Sequence, residues 1–223
     1  MSGAPNSELV LGWCAREVEQ ELPGLALLST TVEVARRGSL TGRSPADLLS
    51  RLHEMSNRLR GANAIAVRRE PVPSAYRVFF RHIGLDPDVA RTPIEAAVFE
   101  RMMRGGFISA GMLQDVLMIG LLDTGVPVWA LDAERVEGPL GIRASLEGER
   151  LGRAEDATAL PEGRLVIADA ATPLAVLFGE LAPAHAPRAH SRRLQLFAVR
   201  VAGVPELYAE EALWGCCASL QAP

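Results

Sequence analysis

The sequence contains no lysine, because all 23 of its basic residues are arginine. A chain without lysine has no Schiff-base amine, no lysine general base and no lysine to hold the phosphates of a P-loop. The formal net charge is −4. That charge argues against a broad surface that neutralises nucleic-acid phosphates, although it leaves room for a local basic patch.

Cysteine is also scarce, with three residues at Cys14, Cys216 and Cys217. The count is odd and two of the three are adjacent, so we expect no disulfide framework and a reducing, cytoplasmic environment. The N-terminal segment lacks a basic start followed by a long apolar stretch, and we expect no signal peptide. The longest apolar run, 116–122, is too short to cross a bilayer, so we expect no membrane partner.

Several sequence signatures of catalytic sites are missing as well. No GxGxxG, GxxxxGK[ST], HExxH or GxSxG pattern occurs, which removes the usual markers of dinucleotide, P-loop, zinc-protease and hydrolase sites. His185 and His190 stand five residues apart in a loop rich in alanine and proline, without the paired spacing of zinc ligands. We therefore expect neither a metal ion nor a cofactor.

Apolar residues make up 48% of the 223 residues, enough for a substantial core in one domain that covers 1–223. Residues 1–125 are predicted to be rich in helices, with one strand at 25–35. The predicted helices are 7–22, a helix from residue 44 with Ser44 as its cap, a helix from Pro73 to Ile83, a helix opened by a Thr92–Glu95 capping box, and 112–123.

The pattern changes after residue 125. Short apolar or alternating runs predict that residues 126–203 are rich in strands, and 204–220 form a C-terminal helix. The predicted strands are 126–131, 140–146, 164–169, 174–178 and 194–201. One side of the final helix carries Leu207, Leu213, Trp214, Cys217 and Leu220. Because no repeated βαβ units appear, the order of elements indicates an α+β protein.

Two aspartates are candidates for a binding site. Asp115 lies in a helix that is otherwise apolar, and a buried acid needs partners or its pKa rises. Asp115 is therefore a candidate pocket residue, and the alternative is that it bonds a backbone amide or an arginine such as Arg143. Asp132 ends a strand, and the alternative for its side chain is to cap the turn 133–135.

Other charged residues cluster before the buried helix. Glu95 is the third residue of its helix, where the capping box already explains it. Arg77 and Arg81 lie one turn apart on the polar side of a helix and are candidates for RNA contact. The alternative for these arginines is a solvated face or a salt bridge to Asp86 or Asp88.

Three motifs occur in order along the chain: "RVFFRHIGLDPDVARTPIEAA", "VPVWALDAERVEG" and "IRASLEGERL". Their order and spacing resemble those of stand-alone B3/B4 domain proteins, which are similar to the editing region of the phenylalanyl-tRNA synthetase beta subunit. The resemblance runs from about Leu9 to Leu220. It implies an α+β fold with a mixed sheet or small β-sandwich and helices packed outside.

The sequence departs from that family on the buried helix. Members tend to carry polar residues at positions i, i+3 and i+6 there, and this chain has Asp115, Met118 and Leu121 at those positions. A later polar segment of the family is replaced by "VLFGELAPAHAP". The resemblance therefore implies a pocket that has become more apolar.

In the synthetase, this region hydrolyses tRNA wrongly charged with tyrosine. The resemblance thus implies an aminoacyl-tRNA deacylase, or a tRNA-binding relative, with a pocket between the buried helix and the strand ending at Asp132. An ester is already activated, so a positioned water and oxyanion donors suffice and no triad is needed. The catalytic residues stay unknown, and the candidate substrate-binding residues are Asp115, Asp132, Glu95, Glu137, Gly138 and Arg143.

A non-catalytic module is the alternative, one that keeps the fold and holds a small amino-acid-like or apolar ligand, or a protein. Binding of tRNA by an acidic chain would need a concentrated arginine surface. Two loops carry candidates for it, namely Arg36, Arg37 and Arg43 in one, and Arg188, Arg192 and Arg193 in the other. The sequence leaves open whether these loops meet.

Overall fold

The structure is a computed structural model that describes residues 8–36, 38–154 and 157–222. Its helices are α1 Arg16–Glu21, α2 Ala46–Arg58, α3 Ala62–Ala66, α4 Pro71–His82, α5 Pro93–Arg104, α6 Met112–Thr124 and α7 Glu206–Gln221. Its strands are β1 Val10–Leu11, β2 Trp13–Cys14, β3 Ala26–Glu33, β4 Val128–Asp132, β5 Gly141–Ala144, β6 Leu165–Ala168, β7 Pro173–Val176 and β8 Arg193–Arg200.

The strands form two four-stranded sheets. In the first sheet the order is β1-β3-β8-β4, and every neighbouring pair is antiparallel. In the second sheet the order is β2-β5-β6-β7, and β2 runs parallel to β5 while the other pairs are antiparallel. Sheets of this kind combined with separate helices confirm the α+β class. The finer likeness to the B3/B4 fold stays a prediction.

Helices α6 and α7 pack closely in the interior. Gly120 on α6 makes this possible, because a Cβ atom at that position would lie 2.8 Å from the Cys216 Sγ atom on α7. Both Cys216 and Cys217 are buried, and burial raises the pKa of the Cys216 thiol far above its ordinary value. The thiol therefore stays protonated and serves as a small packing group.

The capping signals located most helix ends correctly. The Thr92–Glu95 capping box is present at the start of α5, and Gly105 ends that helix in the left-handed conformation. Ser44 is the exception, because α2 begins after Pro45 and no side chain caps it. The sequence at 62–66 carries no strong helix signal, so helix α3 was not predicted.

The predicted helix 7–22 is wrong over its first half, and its first residue lies outside the described residues. Strands β1 and β2 replace it, and helix α1 begins only at Arg16. Two backbone bonds hold this segment in the sheets: Gly12 N donates to Leu27 O at 2.8 Å and Trp13 N donates to Leu140 O at 3.2 Å. An apolar spacing of four fits a strand as well as a helix, and tertiary pairing decided between them.

The last helix buries a different face from the predicted one. Leu213, Cys217 and Leu220 are buried as expected, whereas Leu207 is 54% exposed and Trp214 is 38% exposed. Among the described residues, no helix is both long enough and apolar enough to cross a membrane.

A candidate ligand-binding cavity

A cavity of about 470 Å³ lies between helix α6, strand β4 and the start of helix α5, with residues 40–41 and the segment 178–187 as its other walls. This volume lies within the range of small-molecule sites, ~300–1,000 Å³. Most of the residues that line it are apolar. They are Leu40, Pro93, Ala96, Ala110, Leu113, Leu117, Met118, Leu121, Pro127, Val128, Trp129, Ala130, Phe178, Leu181, Ala186 and Pro187, with Thr41, Arg91 and Gln114 as the polar exceptions.

One wall of the cavity is aromatic and is built around Phe178. The Phe178 ring lies 5.7 Å from Trp129 between centroids, and it also meets the rings of Tyr76, Phe79 and Phe80 from α4. Phe178 adopts a φ of 55°, a conformation that costs most side chains ~1–2 kcal/mol. The packing of the ring offsets that strain and holds the Phe178 side chain against the cavity.

The floor of the cavity comes from the middle of helix α6. Leu117, Met118 and Leu121 line it, and Leu117 and Met118 are half-buried. Met118 and Leu121 therefore lie at a cavity, and the expectation that they make the pocket more apolar than in the family stays a prediction. A cavity between α6 and β4 is also where the sequence predicted one.

Asp115 belongs to helix α6 as well, but it is not one of the residues that line the cavity. It is 2% exposed, and its carboxylate accepts hydrogen bonds from the hydroxyls of Ser44 and Ser109 and from the Ala110 amide at 2.9 Å. The expected backbone amide partner is thus present. The alternative partner Arg143 is absent from this group of contacts. A role for Asp115 in substrate binding stays a prediction without direct geometric support.

The hydrogen bonds of Asp115 hold two wall segments in place. Ala110 lines the cavity directly, and Ser44 follows the lining residues Leu40 and Thr41. The start of α6 adds two backbone bonds to the same segment, from Met112 N to Gly42 O at 3.0 Å and from Leu113 N to Leu40 O at 2.9 Å. Asp115 is therefore a positioning residue, which acts on the cavity through the backbone it anchors.

The Asp132 side chain makes turn-capping contacts, which were the predicted alternative to ligand binding. One of its carboxylate oxygens accepts from the Glu134 amide at 3.2 Å, and the other accepts from the Ser191 hydroxyl at 2.7 Å. The side chain is buried and does not line the cavity, although β4 carries Trp129 and Ala130 on the cavity wall. Asp132 as a ligand group stays a prediction.

Glu95 and Arg77 form an ion-pair group at the start of α5. The Arg77 guanidinium donates to Glu95 and to Asp88, the latter at 2.7 Å, and Asp88 is one of the two expected partners. These hydrogen bonds and charges raise the pKa of Arg77, with Asp88 as the larger cause. Glu95 accepts from the Thr92 backbone amide at 3.3 Å, as a capping box requires, and also from the Thr92 hydroxyl at 2.7 Å. Arg81 is exposed, and RNA contact by either arginine stays a prediction.

The three candidates from the strand-rich half do not line the cavity. Arg143 donates two hydrogen bonds to Glu149, at 2.7 and 2.6 Å, and this pairing lowers the pKa of the Glu149 carboxyl. Glu137 forms an ion pair with Arg153, which lowers the pKa of the Glu137 carboxyl. Gly138 has a φ of 79°, so its turn favours glycine. A role for these three residues in substrate binding stays a prediction.

Sequence reasoning missed the polar residues of the cavity, which are Thr41, Arg91 and Gln114. Arg91 stacks over the Phe99 ring at 3.9 Å and makes no ion pair within the described part of the chain. Arg91 lies within the first of the three family motifs, whereas no motif marks Thr41 or Gln114. The signals for this cavity were the segment 176–187 and the residues Met118 and Leu121, because their departures from the family pattern pointed to a more apolar pocket.

The described residues contain no group of three or more histidine, cysteine, aspartate or glutamate side chains arranged to hold a metal ion. The cavity offers instead apolar surface, two aromatic rings and a few neutral or cationic donors at exposed positions. Chemically, such a site suits a ligand with an apolar body and a polar end.

The fold and the cavity together define an α+β protein with a ligand-sized apolar site. The chain is 36% identical over 94 residues to the phenylalanine–tRNA ligase beta subunit of Xanthomonas oryzae pv. oryzae (strain MAFF 311018). It is 38% identical over 101 residues to that of Xanthomonas axonopodis pv. citri (strain 306), and 35% identical over 94 residues to that of Xylella fastidiosa (strain Temecula1 / ATCC 700964).

These matches cover part of each protein. They span 42% to 44% of this chain and 12% of the length of each of those three relatives. No family model matches the sequence. The chain is thus related to a small region of the synthetase beta subunit, and the activity of the whole synthetase does not transfer with that relation.

Proposed function

We propose that this protein recognises the aminoacyl end of a charged tRNA and hydrolyses its ester slowly, in the manner of an editing domain. The aminoacyl side chain enters the cavity between α6 and β4, and the ester lies at the polar residues of the rim. The observation that carries the proposal is the ligand-sized cavity in a chain related to a synthetase beta subunit. A cytoplasmic location belongs to the same proposal.

The two arginine-bearing loops support the tRNA part of the proposal because they adjoin. Val34 N donates to Arg192 O at 2.7 Å, and Leu40 N donates to Ala189 O at 2.9 Å. These loops also supply the cavity residues Thr41 and Pro187. The loops thus join the cavity to a basic surface.

Several arginines of that surface suit phosphate contact. Arg43 and Arg188 are exposed, make no ion pair within the described ranges, and lie next to cavity-lining segments. Arg36, in contrast, is buried and paired with Asp47, and Arg37 lies outside the described residues. A local arginine cluster of this kind binds phosphates even in a chain of negative net charge.

The chemistry proposed for the site is modest. Among the described lining residues there is no carboxylate, cysteine or histidine that could attack the ester or activate the Thr41 hydroxyl, so in this proposal water is the nucleophile and no covalent intermediate forms. The Gln114 amide, the Thr41 hydroxyl and the Arg91 guanidinium are the side-chain donors near an ester oxygen at the rim. Donors of this kind stabilise the oxyanion of an already activated ester.

A second candidate function is non-catalytic binding of the same aminoacyl group or a similar small ligand. The apolar residues Met118 and Leu121 favour it, because they occupy positions where a hydrolytic relative is expected to carry polar groups. Both candidates use the same cavity, and they differ in whether the ester bond is lost.

A panel of charged tRNAs tests these functions. We expect the protein to accelerate ester loss from at least one of them, and we expect Ala96→Trp, which places a large ring at an exposed lining position, to abolish the effect. Ala218→Trp, at an exposed position of α7 outside the cavity, is the matched control and should behave like the wild type.

The outcomes separate the candidates. Binding of charged tRNA without faster ester loss would select the non-catalytic function. Absence of both binding and ester loss across the panel would remove both.

A further inference from the structure

The deeper part of the cavity lacks polar side chains. Met118 and Leu121 form its floor, and Trp129 and Phe178 form its aromatic wall. The polar side chains Thr41, Arg91 and Gln114 all belong to exposed residues, so they lie toward solvent. A ligand that enters the cavity therefore meets polar side chains with one end and apolar side chains with the other.

We propose that the cavity selects aminoacyl groups whose side chain is apolar and carries no hydroxyl, with a benzyl side chain favoured over a phenol. The proposal rests on the proposed function, because it names the substrate class of the same site. A pocket that forms a hydrogen bond with the substrate hydroxyl would have the opposite preference, for the phenol over the benzyl side chain.

The physical reason is the cost of a buried hydroxyl without a partner. The phenol of a tyrosyl group loses its hydrogen bonds to water on entry, and no described side chain on the floor replaces them. A benzyl side chain has no such group, and its ring packs against Trp129, Phe178 and the Met118 thioether. Apolar pockets reject an added hydroxyl by up to about a hundredfold, and we expect about tenfold for this half-open cavity.

Two stable amides test the inference without any hydrolysis. The ligands are adenosine derivatives that carry a phenylalanyl or a tyrosyl group on a 3′-amino group, and calorimetry measures their dissociation constants. The wild-type protein should bind the phenylalanyl compound about tenfold more tightly, which corresponds to about 1.4 kcal/mol.

Met118→Gln adds a hydrogen-bonding group to the floor with little change in length. We expect it to reduce the preference at least threefold. Met103→Gln is the matched control, because Met103 is 73% exposed on α5 and does not line the cavity. This control should keep the wild-type preference.

The possible results have distinct meanings. Equal or tighter binding of the tyrosyl compound by the wild type would overturn the inference, as would failure to bind either compound. A preference that Met118→Gln leaves unchanged would also overturn it, because the floor would then not be the source of selection. If the preference holds but no charged tRNA loses its ester, the inference stands and the hydrolytic function fails.

Discussion

The first turn and the middle turns of helix α6 differ in what their side chains contact. The first turn carries Asp115, which is sealed from solvent and fully occupied by protein donors. The middle turns carry Met118 and Leu121, which face the cavity. On one buried helix, an acidic residue can thus hold the wall of a site in place while uncharged residues form the surface of that site.

The largest effect is expected from a substitution of Asp115 in the first turn of helix α6. Asp115→Ala leaves the Ser44 and Ser109 hydroxyls and the Ala110 amide without their acceptor, so we expect a loss of about 3 kcal/mol in the free energy of unfolding. Urea denaturation measures this loss. Asp123→Ala is the control on the same helix, where partly exposed ion pairs to arginines should contribute no more than about 1 kcal/mol.

A different result would reverse the comparison. If Asp115→Ala folded with wild-type stability but no longer bound any aminoacyl ligand, the carboxylate would belong to the ligand and not to the wall.

The next effect concerns the aromatic wall opposite the helix. Phe178→Ala removes a ring with four aromatic neighbours, and we expect a loss of about 2 kcal/mol, below the value for a fully buried ring because Phe178 is half-exposed and strained. Thermal unfolding and binding of the phenylalanyl amide should both report the loss. Unchanged ligand affinity in a folded Phe178→Ala variant would mean that this wall does not touch the ligand.

A smaller effect is expected from breaking the ion pair between Arg143 and Glu149, which belongs neither to helix α6 nor to the cavity lining. The lowered pKa of Glu149 means that the pair stabilises the fold above the ordinary value of 4.5 and loses this contribution as the pH falls below it. Glu149→Gln should therefore lower stability by about 1 kcal/mol at pH 7 and flatten its decline between roughly pH 5 and 3. Ligand affinity at pH 7 should not change.

If a stable Glu149→Gln variant lost aminoacyl binding, the expectation of unchanged ligand affinity would be wrong. Arg143 would then belong to the binding site.

Local signals in the sequence predicted much of the fold. The Thr92–Glu95 box and the glycines that end α5 and α6 act within one helical turn, so the sequence alone located those ends. The strand pairs at β1 and β2 depend on partners far along the chain, such as Leu27 and Leu140, and the spacing of apolar residues was misleading there.

The sequence predicted an apolar pocket between α6 and β4, where the structure has a cavity, but it did not predict the polar residues of that cavity or the contacts of Asp115. The predicted position between α6 and β4 followed from the resemblance, and the substitutions Met118 and Leu121 indicated an apolar pocket. No sequence pattern indicated that the Ser44 and Ser109 hydroxyls would donate to the Asp115 carboxylate, because hydrogen bonds between distant segments leave no local pattern. Phe178 in a left-handed conformation was equally hidden, since that conformation usually marks glycine or asparagine.

The most direct test of the account is a methyl NMR titration of protein labelled at its six methionines. On addition of the phenylalanyl amide, the ring current of the ligand should shift the Met118 methyl resonance, while those of the exposed Met102 and Met103 stay in place. An unmoved Met118 with shifts at Met102 or Met103 would contradict the account and place the ligand near the ion-paired residues Arg77 and Glu95.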